Sequence, residues 1–461
     1  MMGSVRAWRA LGLALVVLAV GIRVWNALHY PPDQGFDASG NWRYIYRLSE
    51  DWQLPDPRAG WSTVDPPLYF VVGAVIWEMC ESLGNRELVV RAIPLASAAF
   101  GLGVAALAFS LIRRTDPGNE LRAWLAAGLV LYLPAQIQIS AMVNEEVLLA
   151  LLLAISLWGL ATEPPAVKSN GGRLRRTVCV GLAAGLALLT KLTGALAPLV
   201  AVLTYAIEGW RTRAWQPALR AVAIVASLTL LTGGAYLIRN LVQFGFIQPI
   251  GLAAHAQMLE MPPGERSLSD YVSLPAATWT DPQLLNPDLL ESVWGSTFVT
   301  LWFDGHRFFL PTDDPLVTRL GTATLLLALL PTLAFGIGMV RGVRRIASGA
   351  GRPDLPLLLM TGFALAGYAY YTWRNPWFAV VKGTSLSAVT LPFAFYASEV
   401  LSPWLRRRGA RSAALLAMLT GLVVCSVIGT TFNVAFHKTE VSGLSWQLES
   451  TTPGSDLPTR P

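Results

Sequence analysis

Residues 321–340 read GTATLLLALLPTLAFGIGMV, twenty consecutive positions without a charged side chain, followed at once by Arg341, Arg344 and Arg345. A helix of that length rises about 30 Å, the thickness of a bilayer's hydrocarbon core. Arginines directly behind such a run mark its cytoplasmic end. The form recurs along the chain: further apolar runs lie near 91–112, 122–142, 147–162, 177–190, 194–208, 218–238, 355–373, 384–402 and 412–432. One more follows Arg6 and Arg9 and extends to about Leu28. With the run at 316–340 they make eleven expected spans. The first continues past Arg23 and Trp25 without a small-residue cleavage site, so it reads as an uncleaved span rather than a signal peptide.

Composition agrees. Of 461 residues 53% are hydrophobic and 14% charged, with a mean hydropathy of +0.47. Soluble domains carry about 25% charged residues, so a soluble enzyme is excluded. The net charge of +6 points to no nucleic acid, because the basic residues are placed by the spans. Cys80, Cys179 and Cys425 are scattered and form neither a disulfide framework nor a CxxC metal motif.

Placing the N-terminus in the cytoplasm puts twenty of the 35 Lys and Arg residues in six short inner segments, among them Arg113-Arg114, Lys168 with Arg173–Arg176, and Arg406–Arg408. This is the asymmetry expected of cytoplasmic loops. The stretch Pro66–Cys80 is too short to span and reads as an interfacial helix; counting it as a span would turn Arg113 and Arg114 outward. Two large outer segments result, 29–90 and 239–315, with an outer tail at 433–461 whose end, Ser450–Pro461, reads as disordered. The expected units are a transmembrane core over 1–250 that includes the first outer loop, the large loop 239–315, the C-terminal spans over 316–432, and the tail. The pair of runs around Lys191 is short enough to be two half-length or broken helices.

Charges at membrane depth are candidates for function, and here they gather at outer span ends. Asp37, in Phe36-Asp37-Ala38-Ser39, suits a general base or a metal ligand, or merely caps the next helix. Asp65 precedes Pro66-Pro67 at a helix start. Glu145 and Glu146 are adjacent carboxylates that ionise best beside a cation, metal or water. Lys191, between two short apolar runs, offers a point charge for a phosphate or snorkels to the interface. Arg239-Asn240 and Lys382 end and begin spans; with Lys191 they would surround one outer cavity as a phosphate clamp. His255 and His306 lack zinc-ligand spacing.

In order along the first 250 residues, these pieces resemble the GT-C glycosyltransferases, polytopic enzymes that use polyprenyl-phosphate-linked sugars, such as protein O-mannosyltransferases and the aminoarabinose transferases of lipid A. The resemblance rests on Phe36-Asp37…Tyr44-Ile45, Pro66-Pro67-Leu68-Tyr69, Arg91, Pro134…Ser140…Asn144-Glu145, Gly181…Gly185…Thr190-Lys191…Gly194 and Arg239-Asn240. It implies a GT-C-like bundle of about 11 transmembrane helices with two large extracytoplasmic loops, an all-α polytopic membrane protein. It assigns Asp37 as the base or acceptor-site carboxylate, with Glu145 or Glu146 as the second-loop acid, and places Lys191, Arg239 and Lys382 on the phosphate side. The chain departs from the family where Ala38 stands in place of Glu, and Asn41 and Asp65 in place of His, so metal binding through those histidines is not carried over.

The expected function is sugar transfer from a polyprenyl-phosphate donor to a lipid, glycan or protein acceptor on the extracytoplasmic face, with inversion. Asp37, Glu145 and Glu146 are the expected catalytic residues. Lys191, Arg239, Asn240, Lys382, Arg43, Tyr44 and Asp65 are expected to bind substrate, and a divalent ion is an open requirement. The expected location is a bacterial inner membrane. A polymerase or ligase of lipid-linked glycans, a transporter or flippase, and a membrane scaffold are the alternatives; the first of these relies on outer-loop arginines, the second on charges at mid-span.

Overall fold

The computed structural model describes residues 2–60, 62–85, 88–162, 170–248, 262–349, 351–407 and 409–438. Lys168, His255, Arg408 and the tail end from Ser450 to Pro461, on which expectations were placed, lie outside them. Among the described residues the fold is all-α, and the only strand-like pairing is an isolated bridge between Pro263 and Trp377.

Every one of the eleven apolar runs is helical. The helices are α1 (Met2–His29), α2 (Ala38–Asp51), α3 (Leu68–Ser82), α4 (Val89–Thr115), α5 (Glu120–Leu131), α6 (Pro134–Ala141), α7 (Glu146–Ala161), α8 (Asn170–Thr190), α9 (Leu196–Thr212), α10 (Trp215–Thr229) and α11 (Ala235–Phe244). After two short turns, α12 (Ala277–Thr280) and α13 (Pro287–Glu291), come α14 (Val293–Trp302), α15 (Pro315–Ala347), α16 (Asp354–Arg374), α17 (Thr390–Arg406) and α18 (Ala410–Thr430). Among the described residues seven helices are long and apolar enough to cross a bilayer, or eight if the bent pair α5–α6 counts as one span. The protein is an integral membrane protein, and among the described residues fewer than the eleven expected runs form helices of full spanning length.

The shortfall has physical causes. Leu133, before Pro134, is extended (φ −73°, ψ 114°), and the ring of a proline disfavours the helical conformation at the preceding residue. That breaks the run 122–142 into α5 and α6, bent by 54°. Helix α7, only 16 residues and about 24 Å long, packs among α4, α8 and α16, and thirteen of its residues are buried. It is the centre of the bundle and needs no lipid-matched length. Lipid-facing positions lie on the outer helices, where Val17 is 72% exposed and Leu231 73%.

The run around Lys191 is a hairpin rather than a broken helix. Lys191 is extended (φ −160°, ψ 149°) and a 3-10 turn, Leu192–Ala195, leads into α9. Gly194 comes back so close to α8 that a Cβ there would stand 2.1 Å from the Ala187 carbonyl oxygen. Only glycine permits that approach, and it leaves Lys191 at the tip of the reversal.

Charged clusters join the helices at the opposite end. Arg345 bridges Asp354 (2.6 Å) and Glu399 (2.7 Å), Arg122 pairs with Asp116 (3.1 Å), and Arg352 reaches Glu208 (3.1 Å). These are residues of the short segments whose basic character defines the expected inner side. The bundle thus has one end rich in salt-bridged arginines and another carrying the candidate site. Helix α3, fifteen residues long, packs against α2 at that second end.

Candidate active site

The site is built where α2, the turn before α3, the α6–α7 junction and the α8–α9 hairpin meet. Lys191 Nζ lies 2.5 Å from Glu145 Oε1 and 2.9 Å from Glu146 Oε1. Both carboxylates are 3% exposed, and Ser387 Oγ donates to Glu146 Oε2 at 3.4 Å. Glu145 is the N-cap and Glu146 the first residue of α7, so the positive end of the helix adds to the stabilisation of their charge. An ammonium has three N–H donors, and two of those on Lys191 are used here. The triad carries a net charge of −1. Lys191 neutralises carboxylates as placed, and the positive clamp of Lys191, Arg239 and Lys382 around one phosphate is not what its contacts form.

Backbone geometry carries this triad. Tyr69, from the Pro66-Pro67-Leu68-Tyr69 motif, accepts a hydrogen bond from the Asn144 backbone N–H (3.1 Å) and shares a second with Ser97 Oγ (3.0 Å). The Asn144 side chain accepts from the Glu146 N–H (2.9 Å). Asn41 of α2 donates to the Val143 carbonyl (2.8 Å), which ties the first outer loop to the same junction. Tyr69 and Ser387 were not singled out from the sequence as site residues; Tyr69 stood in the quoted motif, whereas nothing local marks Ser387.

Asp37 occupies the N-cap position of α2, as the helix-cap reading requires, yet its side chain makes no cap hydrogen bond. It is exposed and held in the left-handed region (φ 53°, ψ 22°). Non-glycine residues rarely adopt this conformation, and such strain is a pointer to function. Asp65, half-buried after a 3-10 turn, is pushed up to about 8 by burial and by the negative charges of Glu145, Asp37 and Glu146, with Lys191 pulling the other way. It therefore holds its proton near neutral pH beside an open carboxylate.

Arg239, in the middle of α11, donates to the Leu54 carbonyl (3.2 Å) and to Asn240 Oδ1 (3.1 Å), and its guanidinium lies 5.3 Å from the Phe244 ring. Arg58, which the sequence reading did not single out, approaches the same ring at 5.5 Å and pairs with Asp56. Asn240 is buried and donates to the Ile247 carbonyl (3.2 Å). Tyr44 is buried against Phe70, ring centroids 4.1 Å apart, and lies in the electric field of Asp65 and Arg239. Arg43, its neighbour on α2, stands on the exposed side of the helix. Lys382 sits on another wall, 4.4 Å from the centroid of Phe36. It is seated by Gly383, where a Cβ would be 2.5 Å from Leu301 Cα.

Among the described residues no three His, Cys, Asp or Glu side chains converge to hold a metal ion. The cation between Glu145 and Glu146 is the Lys191 ammonium, so this carboxylate pair as arranged does not fit a divalent ion. What the site offers is an open carboxylate at Asp37, a protonated carboxyl at Asp65, a fixed acidic pair, and Arg239 and Arg58 at the Phe244 ring.

Residues 65–233 match the family model described as dolichyl-phosphate-mannose-protein mannosyltransferase. No curated protein matches the chain in sequence. Among solved structures, the Archaeoglobus fulgidus oligosaccharyltransferase in complex with Zn and sulfate superposes with a TM-score of 0.52 at 16% identity, covering 91% of this chain and 53% of that one. The archaeal oligosaccharyltransferase AglB from the same organism, in complex with an inhibitory peptide and a dolichol-phosphate, gives 0.50 at 14% identity, covering 93% and 56%. ArnT from Cupriavidus metallidurans bound to undecaprenyl phosphate gives 0.48 at 15% identity, covering 94% and 76%. The chain spans about half the length of the archaeal transferases. The fold is that of the archaeal oligosaccharyltransferases, in agreement with the all-α polytopic bundle that the motif resemblance implied.

Proposed function

We propose that this membrane protein is a glycosyltransferase that moves a sugar from a polyprenyl-phosphate donor to an acceptor hydroxyl at the outer end of the bundle. The acceptor oxygen attacks the anomeric carbon from the face opposite the phosphate. The C–O bond to the phosphate breaks as the new glycosidic bond forms, with inversion. Asp37 takes the hydroxyl proton, and the polyprenyl phosphate leaves with its charge held by Arg239. Fixed donors aimed at the developing phosphate charge lower the barrier because they need no reorganisation. Asp65, protonated, limits the negative charge near the donor phosphate. Glu145 and Glu146, held by Lys191, form the rigid wall against which the acceptor is oriented. With the arginine-rich end in the cytoplasm, the site opens outside it, at a bacterial inner membrane.

The observation that carries this reading is Asp37: an exposed, uncapped carboxylate in a strained conformation, close enough to Asp65 for its charge to act on that carboxyl. The match over residues 65–233 to a mannosyltransferase model supports it. The test is mass spectrometry of surface glycans and lipids in source cells lacking the protein, complemented with wild type or Asp37→Asn. A sugar-sized mass difference restored by wild type alone is expected. Equal rescue by both versions removes Asp37 from the mechanism, and flux without transfer in proteoliposomes would make the protein a transporter.

A further inference from the structure

A cleft of about 500 Å³ with a mixed polar and apolar lining opens beside the N-terminal end of α15, lined among others by Asp281, Gln283, Arg307, Asp313, Thr318 and Arg319. Its volume falls in the range of small-ligand pockets. None of these residues belongs to the site described above.

The cleft is joined to that site by one turn of chain. Asp304 accepts hydrogen bonds from the backbone N–H groups of Phe308 (3.0 Å), Phe309 (2.6 Å) and Leu310 (2.8 Å), which fixes residues 304–310. Within the turn His306 packs edge-on to Phe36, the neighbour of Asp37, at 4.8 Å between centroids. Arg307, the next residue, lines the cleft instead. It is held in the left-handed region (φ 59°) by a bond from its Nη1 to the Asp304 carbonyl (2.7 Å) and by the Phe303 ring at 5.2 Å. Its Nε is buried and has no hydrogen-bond partner among the described residues. Asp281 accepts from Gln283 (3.2 Å) and Asn286 (2.7 Å), so its carboxylate is oriented while retaining acceptor capacity.

The lining decides the class of ligand. Acceptors (Asp281, Asp313), donors (Arg307, Arg319) and groups that do both (Gln283, Thr318) stand around one space. A lipid tail needs a continuous apolar lining, which Pro311, Pro315 and Val317 among these polar groups do not make, and an anion needs an excess of cations, whereas Asp281, Asp313 and Asp314 outnumber the two arginines. Vicinal sugar hydroxyls, each donor and acceptor at once, match the mixture.

We propose that this cleft is a saccharide subsite for the acceptor, so that the acceptor is a glycan. Its remote portion rests between Asp281, Arg307 and Arg319, and the 304–308 turn directs the reacting ring toward Asp37. The proposal rests on the transfer reading for the identity of the saccharide as acceptor.

The test is photocrosslinking of the full-length protein in source cells, with p-benzoylphenylalanine in place of Thr318 and, separately, of Gln283, should the first variant not fold. Mass spectrometry of the crosslinked peptide is expected to show adducts built from sugar-residue masses. Arg307→Ala with Asp281→Ala is expected to lower their yield about tenfold or more, since each charge-assisted hydrogen bond contributes about 1.5–3 kcal/mol. Adducts of acyl lipid or peptide alone, or none beyond those at a control position on the arginine-rich end, overturn the proposal. An Asp37→Asn version carrying the same crosslinker is expected to keep the saccharide adduct while losing transfer. If it keeps both, the transfer mechanism fails and the saccharide cleft stands.

Discussion

Replacing Lys191 by Met leaves two adjacent carboxylates, each 3% exposed, without the ammonium that lies 2.5 and 2.9 Å from them. Breaking a buried ion pair by removing one partner costs about 3–5 kcal/mol, because the surviving charge stays buried and unpaired. The N-terminus of α7 acts on the carboxylates with or without the lysine and cancels from the comparison, and methionine retains most of the stem's apolar contact. A net loss of about 3–5 kcal/mol follows. For domains of 150–250 residues each kcal/mol moves Tm by about 2–4 °C. A chain of 461 residues moves less, roughly 1–2 °C per kcal/mol, so Lys191→Met should melt about 3–10 °C lower by intrinsic fluorescence in detergent micelles. Because the cost comes from unpaired charge, adding Glu145→Gln should recover part of it, with a coupling of at least about 1 kcal/mol. An unchanged Tm for Lys191→Met, or a Glu145→Gln step as harmful in that background as in wild type, would refute the reasoning. The lysine would then be a phosphate ligand or a spectator rather than the counter-ion of the pair.

Three further outcomes follow from the same geometry. Asp65, pushed up to about 8, is expected to ionise as pH rises past that value and to repel the donor phosphate; KM for the donor should climb above about pH 8 in wild type and stay flat in Asp65→Asn. Since its folded pKa exceeds the ordinary 3.8, the folded state binds the extra proton between about pH 4 and 8, so this group makes stability fall with rising pH across that window. Asp65→Asn should accordingly gain in Tm relative to wild type as the pH is raised from 5 to 9. Tyr69→Phe deletes the acceptor for the buried Asn144 N–H and should destabilise by about 1–3 kcal/mol, lowering kcat by misplacing Glu145 and Glu146; unchanged kcat would show that the junction does not depend on that bond. Arg239→Ala should weaken donor binding about tenfold or more, the size of one lost charge-assisted hydrogen bond, with little change in Tm because the guanidinium is only half-buried; an unaltered KM would move the phosphate elsewhere.

The all-α membrane class and the shortness of the helix Leu68–Ser82 were legible in the sequence, and the inner and outer ends are assigned from it. Each depends on a property that a short window carries by itself: the length of an apolar run against a bilayer of fixed thickness, and the bias of Lys and Arg behind it. The proline that splits α5 from α6 is local too, although its consequence, a bend that brings Asn144 and Glu145 inward, is not. Residues 145 and 191 are 46 positions apart, and only the reversal at Gly194 sets the ammonium on the carboxylates. No pattern in the chain distinguishes that lysine from one free to hold a phosphate. The left-handed Asp37, the proton retained by Asp65, and the turn that sets His306 and Arg307 against different sites depend on partners from several helices at once. Charge at a distance and burial among distant segments have no periodicity to read, and so the chemistry of the site was decided by the packing.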